Sequence, residues 1–252
     1  MALMSDFKEF FSKNAEAYAH SQSHKKGEDL QQLVEAVNPI SSDVAIDLAS
    51  GTGFTAMALA PLVSKVVAYD GTEEMLQKAR ELAAEDKIQN LDFSVGDVAN
   101  LPYSDNTFDI ATCRRAAHHF TDKKKFLSEA FRVLKKGGRI GVVDMAVPEA
   151  DNNDIFNHIE IIRDHSHIAA EKLETWKNLI GNAGFRITKV ISSSEEYTLE
   201  RWLSPVKMDS KEGNELQIYL KETPDKLLIN GNINREEGTI LKERFVIVAE
   251  KP

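Results

Sequence analysis

Three aspartates, each at the end of an apolar stretch, are the residues in this sequence that most directly suggest ligand chemistry. Asp47 lies in "AIDLASGTGF", Asp70 ends "KVVAYD" and Asp97 ends "NLDFSVGD". In an open parallel sheet, ligands bind just beyond the carboxyl ends of the strands. One such aspartate is as often a turn former or a helix cap. Three of them, together with a glycine-rich turn, favour a ligand site at this edge of the sheet.

The glycine-rich turn after Asp47 limits the identity of that ligand. Gly51, Gly53 and Ala56 form a G-x-G-x-x-A pattern, and Asp70 follows about 20 residues later, as in sites where the acid binds a ribose hydroxyl. A dinucleotide would place its pyrophosphate on this turn, where Asp47 at about 4 Å would repel it by several kcal/mol. S-adenosylmethionine has the same adenosine, no phosphate, and a positively charged amino-acid end. We therefore predict S-adenosylmethionine as the cofactor, with Asp47 near its cationic end.

The residues around the second and third strand ends suggest how the adenine is held. Asp97 can accept a hydrogen bond from the exocyclic amine of adenine, and the backbone amide of Val98 can reach the ring. Met75 is close enough in sequence to Asp70 to pack on adenine. It is equally compatible with a purely structural role in the core of a helix.

Two neighbouring histidines in "CRRAAHHF" are the candidate catalytic residues. His118 and His119 follow the fourth predicted strand, and a histidine can take a proton near neutral pH. We expect one ring to be structural, with a slight preference for His119 as the catalytic one. The later segment "RDHSH" contributes Arg163, which could hold an acidic acceptor, and two more histidines. The two histidine pairs do not share one helical face, and methyl transfer needs no metal, so we predict no metal site.

The elements that position these residues alternate regularly from 43 to 147. Apolar strands alternate with amphipathic helices, which is typical of βαβ units on a parallel sheet covered by helices on both faces. The pattern predicts a helix at 72–87 capped by Thr72, a helix at 122–138 and a strand at 139–147. Another predicted helix covers 5–21, beginning at Ser5 or Asp6. The polar stretch 199–238 is predicted as one helix at 211–222 and otherwise loop, either a surface insertion or a lid over the site.

Composition and charge exclude several classes of protein. The chain has 252 residues and a formal net charge of −9, which argues against a nucleic-acid-binding domain. The single cysteine, Cys113, allows no intrachain disulfide, and no stretch has the length of a membrane span. We expect a cytoplasmic, single-domain protein over 1–252, without membrane or nucleic-acid partners. Its predicted parts are a helical cap at 1–40, a cofactor-binding half at 41–147 and a second half at 148–252.

Four consecutive segments resemble the motifs of a known enzyme family. "DLASGTGF", "VVAYDGTEEML", "VGDVANLPYSDNTFDIATCRRAAHHF" and "LSEAFRVLKKGGRIGVVD" are similar to those of class I S-adenosylmethionine-dependent methyltransferases, in the type 11 branch that includes ubiquinone and menaquinone biosynthesis enzymes. The resemblance implies a Rossmann-like, doubly wound, mostly parallel α/β sheet of seven strands, ordered 3-2-1-4-5-7-6 with strand 7 antiparallel. "RFVIVAE" would be strand 7. Ala49 replaces the first glycine of the family motif, and we expect it at negative φ.

The resemblance also implies a role for individual residues. It maps the methionine end of the cofactor to Asp47, Gly51 and Gly53, the ribose to Asp70, and adenine to Gly71, Met75, Asp97 and Val98. The backbone of Arg114 would lie by the methionine moiety. In similar proteins an N-terminal segment closes over that end, which here would bring Tyr18 and His24 to the site.

These observations together predict a methyltransferase that acts on a small molecule, as a monomer or homodimer. Two alternatives remain at this stage. A nicotinamide-dependent oxidoreductase is disfavoured by Asp47 and by the lack of a tyrosine–lysine or histidine dyad. A non-catalytic protein that binds S-adenosylmethionine for regulation would carry the same acids and glycines.

Overall fold

The computed structural model describes residues 11–12, 15–16, 18–204 and 206–252, without the side chains of residues 22 and 23. Residues 11–12, 15–16 and 18–19 are helical, within the first predicted helix. The predicted start of that helix at Ser5 or Asp6 lies outside the described residues. Two further helices, α1 (Gln22–Lys25) and α2 (Glu28–Val37), precede the sheet.

The cofactor-binding half alternates strands and helices, as predicted. Its strands are β1 (Val44–Leu48), β2 (Lys65–Asp70), β3 (Leu91–Val95), β4 (Phe108–Arg114) and β5 (Leu134–Ala146). Its helices are α3 (Phe54–Leu59), α4 (Glu73–Glu85) and α5 (Lys123–Val133), with short 3-10 turns at Ala60–Leu62 and Ala117–His119. Apolar side chains fill both faces of these strands, so helices must cover the sheet on both sides.

The second half adds the remaining elements. Its helices are α6 (Ile155–Arg163), α7 (Leu173–Asn182), α8 (Leu199–Leu203), α9 (Lys211–Glu222) and α10 (Asp225–Asn230). Its strands are β6 (Arg186–Thr198), β7 (Ile233–Asn234) and β8 (Thr239–Glu250). No helix in the described parts of the chain is long and apolar enough to cross a bilayer.

The strand order confirms the predicted topology. The sheet runs β3-β2-β1-β4-β5-β8-β6, β1 to β5 are parallel, and β8 is antiparallel to both of its neighbours. β8 contains "RFVIVAE" and is the predicted antiparallel strand. The short β7 pairs only with β8 and lies outside the main order. The order reverses between β1 and β4, so the carboxyl ends of these two strands form the switch point where ligands bind in such sheets.

The stretch 199–238 is more ordered than its polar sequence predicts. The helix at Lys211–Glu222 agrees with the prediction, but α8, α10 and β7 occupy much of the remainder, which was predicted as loop. Leu203, Leu216 and Leu228 are buried against α6 in an apolar cluster separate from those on the two sheet faces. The few apolar residues of this stretch are spaced to contact α6. Because α6 lies far away in the sequence, the local pattern does not predict this contact.

The helix predicted over 122–138 ends earlier, at Val133, and the next residue already belongs to β5. Leu134 pairs with Phe108 of β4, and the ammonium of Lys135 binds the Asp109 carboxylate at 2.8–2.9 Å. The lysines were predicted as the last helical turn. Pairing with β4 outweighs the local helix signal here.

The turn after β1 contains an unusual alanine. Ala49 has a φ of +54°, in the left-handed region, so the expectation of a negative φ was wrong. Gly51 and Gly53 also have positive φ, and a Cβ on Gly53 would lie 3.0 Å from the Cβ of Ala79 in α4. The turn is therefore tight enough to impose a glycine-like conformation on Ala49. That conformation costs a non-glycine residue about 1–2 kcal/mol.

Replacing Ala49 by glycine should therefore stabilise the protein. Glycine removes the strain of the left-handed conformation, which favours the folded state. It also makes the unfolded chain more flexible, which favours the unfolded state by about 0.4–1 kcal/mol, a smaller effect. We expect Ala49→Gly to raise the free energy of unfolding in urea by about 0.5–1 kcal/mol. Ala84→Gly, an exposed position inside α4, is the control and should lower it by a similar amount. Destabilisation by Ala49→Gly would show that the turn carries no such strain.

Candidate active site

Asp47 is buried at the carboxyl end of β1, with both of its carboxylate oxygens occupied. The Ser50 hydroxyl and the Thr112 hydroxyl each donate to it at 2.7 Å, and the residue is 1% exposed. Thr112 lies opposite Asp47 in the register of β1 and β4. Burial raises the pKa of Asp47 to about 6, although the hydroxyl donors and Arg114 act to lower it. Asp47 is thus mainly a charged anion at neutral pH, and a nearby cation would favour that form.

Asp70 joins the glycine turn to the end of β2. Its two oxygens accept from the amide of Gly51 at 2.8 Å and from the amide of Thr72 at 2.9 Å. Burial raises the pKa of this carboxyl, against the effect of the amide donors. Each carboxylate oxygen has a second lone pair, so Asp70 can accept further hydrogen bonds.

Thr72 does not cap α4 as predicted. Its side chain makes no capping hydrogen bond. The buried hydroxyl lies instead beside the Asp70 carboxylate, where it acts with the amide donors to lower the pKa of Asp70. It lies two residues after Asp70, where the ribose is predicted.

The residues predicted for adenine lie in different environments. Met75 is buried in α4, and its methyl group lies 3.9 Å from where a Cβ on Gly51 would be. Gly71 approaches the Gly96 carbonyl at the end of β3, and Val98 is half-buried. Asp97, in contrast, is exposed and accepts from the amide of Ala99 at 2.9 Å in a local turn. It does not join the two buried acids.

The N-terminal segment lies over this edge of the sheet. Phe11 and Ala15 pack on Met75, and the Phe11 ring meets that of His119 edge-on with centroids 5.2 Å apart. Tyr18 and His24, both predicted at the site, contact each other at a centroid distance of 5.2 Å. Burial raises the pKa of Tyr18 to about 12, so its hydroxyl stays protonated.

Arg114 anchors this segment through its side chain, whereas the prediction concerned its backbone. Its guanidinium donates to the carbonyl of His24 at 2.6 Å and to the Thr55 hydroxyl at 3.1 Å. Burial lowers the pKa of His24 to about 3, reinforced by Arg115 and Arg114, so this ring is neutral. The cap and the end of β4 are therefore connected by a buried charged group.

His118 forms a buried pair with Asp144, a residue of β5. The Nδ1 atom of His118 lies 2.6 Å from one oxygen of Asp144, and the His118 amide donates to the other at 2.9 Å. Burial alone would raise the pKa of Asp144, but His118 outweighs it and holds that pKa below the ordinary value. A carboxylate accepts only, so Nδ1 carries a proton, and Nε2 of a neutral ring carries the lone pair. This geometry orients the imidazole and stabilises it when protonated.

His119 has a different environment, although its ring centroid lies only 4.1 Å from that of His118. Its Nδ1 donates to the carbonyl of Ser166 at 2.9 Å, and the more distant charge of Asp164 acts to raise its pKa. Burial and the neighbouring His118 lower the pKa of His119 to about 3. His167 stacks on His118 and binds the Asn157 side chain through Nε2 at 2.7 Å. His119 and His167 are therefore neutral rings at physiological pH.

The second histidine segment does not complete a metal site. His165 is exposed, and Arg163 is paired with Glu160 at 3.1 Å and lies over the Trp202 ring. Within the described ranges, no group of three or more His, Cys, Asp or Glu side chains is arranged to hold a metal ion.

The described residues fit an adenosine ligand with a cationic end. Asp47 and Asp70 provide two buried carboxylates near the glycine turn, and the buried Thr72 hydroxyl lies beside Asp70. The buried carboxylate of Asp47 beside the turn would repel a pyrophosphate. A sequence model of the methyltransferase-domain family matches residues 40–217. The chain belongs to this methyltransferase family. It is an S-adenosylmethionine-dependent methyltransferase, and the oxidoreductase alternative is dismissed.

Similar methyltransferases cover most of this chain. YcgJ of Bacillus subtilis (strain 168), an uncharacterized methyltransferase, is 36% identical over 201 residues, which are 79% of this chain and 76% of YcgJ. The demethylmenaquinone methyltransferase of Thermotoga maritima is 28% identical over 197 residues, or 75% and 77% of the two chains. A crystal structure of a protein from Bacillus halodurans C-125 matches with a TM-score of 0.82 at 35% identity, covering 90% of this chain and 100% of that one.

Several residues of the candidate site were not predicted from the sequence of this methyltransferase. Asp144 lies in "RIGVVDMAV", where it is one polar residue in an apolar strand, and Asp29 lies in the first turn of an amphipathic helix. Thr112 has no distinctive neighbours. The aspartate inside an apolar strand was the one available signal, because a buried carboxylate needs a partner.

The buried neutral histidines should make the protein sensitive to mild acid. The pKa of His24 and that of His119 are lowered to about 3, and that of His167 to about 4, from 6.5. Below pH 6.5 the unfolded chain binds protons at these sites and the folded chain does not, so stability falls as pH falls. Each contributes up to about 1.4 kcal/mol per pH unit. Asp47, whose pKa is raised, opposes this below about pH 6.

We expect the free energy of unfolding to fall by roughly 2–3 kcal/mol between pH 6 and pH 5. Urea titrations at several pH values measure this slope. His167→Gln should reduce it by about one proton's contribution, whereas His165→Gln, at an exposed position, should leave it unchanged. A flat pH dependence in the unsubstituted protein would contradict the neutral assignment of the three rings.

Proposed function

We propose that this enzyme methylates a small-molecule acceptor and that His118 takes the proton the acceptor loses. The observation that carries the proposal is the His118–Asp144 pair at the ends of β4 and β5. S-adenosylmethionine supplies, when bound, a methyl carbon already activated by a positive sulfonium. The protein then has to align the acceptor and provide a site for its proton.

The surroundings of the two histidines reverse our initial preference for His119. A base must remain stable once protonated, and Asp144 provides a negative charge 2.6 Å from His118. The neighbours of His119 offer a carbonyl instead, and burial opposes its protonation. We assign proton acceptance at Nε2 to His118, and to His119 the role of packing beneath the N-terminal segment.

The cofactor would be held by the remaining candidate residues. In this proposal, the ribose is bound by Asp70 and Thr72. The cationic methionine end faces Asp47, Ser50 and the glycine turn of Gly51 and Gly53. Adenine lies against Gly71, Met75 and Val98, with Asp97 at its solvent side. Tyr18, His24 and Arg114 close the methionine end.

A small acceptor is supported by charge and by a similar protein. The net charge of −9 disfavours nucleic acid. One relative is named for its action on demethylmenaquinone, a small molecule.

Asp70→Asn should weaken cofactor binding by about 1–3 kcal/mol, because a charged acceptor for the ribose hydroxyls is lost. Titration calorimetry with S-adenosylmethionine and with S-adenosylhomocysteine measures this. Asp92→Asn is the matched control, since Asp92 is an exposed β3 residue paired with Lys65 and away from the site. Unchanged affinity in Asp70→Asn would show that Asp70 only holds the turn.

His118→Gln should lower turnover by about 10²–10⁴-fold while cofactor affinity is retained. The measurement is S-adenosylhomocysteine release with a panel of small acceptors at several pH values. Asp144→Asn should also lower turnover, and His165→Gln serves as the control.

Two outcomes would change the assignment. Full turnover in both His118→Gln and His119→Gln would mean that transfer relies on alignment alone. Loss of turnover in His119→Gln with full turnover in His118→Gln would exchange their roles.

A further inference from the structure

Three arginines converge on one buried carboxylate at the sheet edge that bears the site. Asp29, in the first turn of α2, is 5% exposed and is contacted by Arg114 and Arg115 of the β4 end and by Arg244 of β8. The described residues provide no second carboxylate within ion-pair distance of these three guanidiniums. The group therefore carries two more positive charges than negative ones.

The three guanidiniums differ in the number and length of the hydrogen bonds that they donate. Arg115 binds Asp29 through two hydrogen bonds of 2.6 and 2.7 Å. Arg114 is occupied by the His24 carbonyl and the Thr55 hydroxyl as well as by Asp29 at 3.4 Å. Arg244 makes a single hydrogen bond within the described parts of the chain, from one Nη to Asp29 at a long 3.4 Å. Most of its five donor hydrogens therefore bind no other described residue and are open to solvent.

Arg244 is poorly placed for a surface role. Its side chain is 20% exposed, and burial lowers its pKa, with Arg115 adding to the effect and Asp29 opposing it. The donor hydrogens that do not reach Asp29 are open to solvent, so an anion can replace the water that they bind. In a protein of net charge −9, such a concentration of positive charge also attracts anions to one place.

The position of Arg244 relates it to the proposed acceptor site. Arg244 lies opposite Met145 of β5 in the register, one position from the Phe245–Asp144 pair, so the side chains of Arg244 and Asp144 leave opposite faces of the sheet at the same strand end. The negative charge of Asp144 acts to raise the pKa of Arg244. Asp144 in turn holds His118. The arginine group and the histidine pair therefore lie at the same end of β4, β5 and β8. Arg163, which the sequence suggested for an acidic acceptor, is occupied by Glu160 and Trp202.

We propose that Arg244, together with the outer edge of Arg115, binds an anionic group of the methyl acceptor, a carboxylate or a phosphate. This inference rests on the proposed function, since it names the class of acceptor for the same site. A guanidinium presents parallel N–H groups that match two oxygens of either anion. The acceptor is thus an anionic small molecule whose methylated atom lies on the His118 side.

The test measures anion binding directly, so it does not depend on finding the acceptor. The protein is saturated with S-adenosylhomocysteine, and inorganic phosphate or acetate is titrated in at constant ionic strength, with chloride as the reference. Thermal unfolding and calorimetry report binding. We expect one of the two anions to bind the unsubstituted protein, and its affinity to be about tenfold to a hundredfold weaker in Arg244→Gln.

The control variants separate this site from general surface charge and from misfolding. Arg186→Gln removes an exposed arginine of β6, whose side chain is 63% exposed, and should bind the anion as the unsubstituted protein does. Arg244→Lys keeps the charge but not the paired donors, and should retain part of the affinity. S-adenosylhomocysteine affinity should be equal in all variants, which also establishes that Arg244→Gln is folded.

Binding of inorganic phosphate would identify a phosphate group on the acceptor, and binding of acetate would identify a carboxylate. Equal anion affinity in Arg244→Gln and the unsubstituted protein would overturn the proposal, as would the absence of binding by either anion. Failure of the proposed function would instead appear as absent S-adenosylhomocysteine binding or absent turnover, independently of the anion titration.

Discussion

A buried carboxylate must be hydrogen-bonded or paired with a positive charge, and this constraint organises the whole edge of the sheet that bears the site. Each buried acid there joins elements that are distant in sequence. Asp47 connects β1 to β4, Asp70 connects the glycine turn to β2 and α4, and Asp144 connects β5 to the loop after β4. Asp29 connects α2 to β4 and β8. The acids thus determine which chain segments meet around the ligands.

The fold was predictable because its signals are local and repeated. The helix at 211–222 was predicted with its observed bounds, and the helix at 72–87 is observed at Glu73–Glu85, since both are marked by apolar residues at helical spacing. Prediction failed where a tertiary partner outweighs local preference. Leu134 enters β5 because Phe108 pairs with it, and Ala49 takes a left-handed conformation because the turn between Asp47 and Gly51 leaves no alternative.

The site was predictable in its cofactor half and much less so in its acceptor half. Acids after strands and a glycine turn have fixed spacing, so Asp47 and Asp70 could be found from sequence. The partners of His118 and Arg115 come from 26 and 86 residues away, and no spacing rule connects them. His118 and His119 are adjacent in sequence, and only the identity of the group facing each ring distinguishes them.

The position of β8 has a consequence for how the chain is assembled during synthesis. β8 follows β6 in the chain but lies between β5 and β6 in the sheet, and it pairs with both along most of its length. Until residues 239–250 leave the ribosome, β6 has no neighbour in this sheet and β5 presents an open edge. The nascent chain must therefore keep two edge strands from pairing wrongly until β8 is inserted between them. The side chains along β6 are largely polar and exposed, among them Ser192, Ser194 and Glu195. They keep the strand solvated while it is unpaired, before β8 has been synthesised.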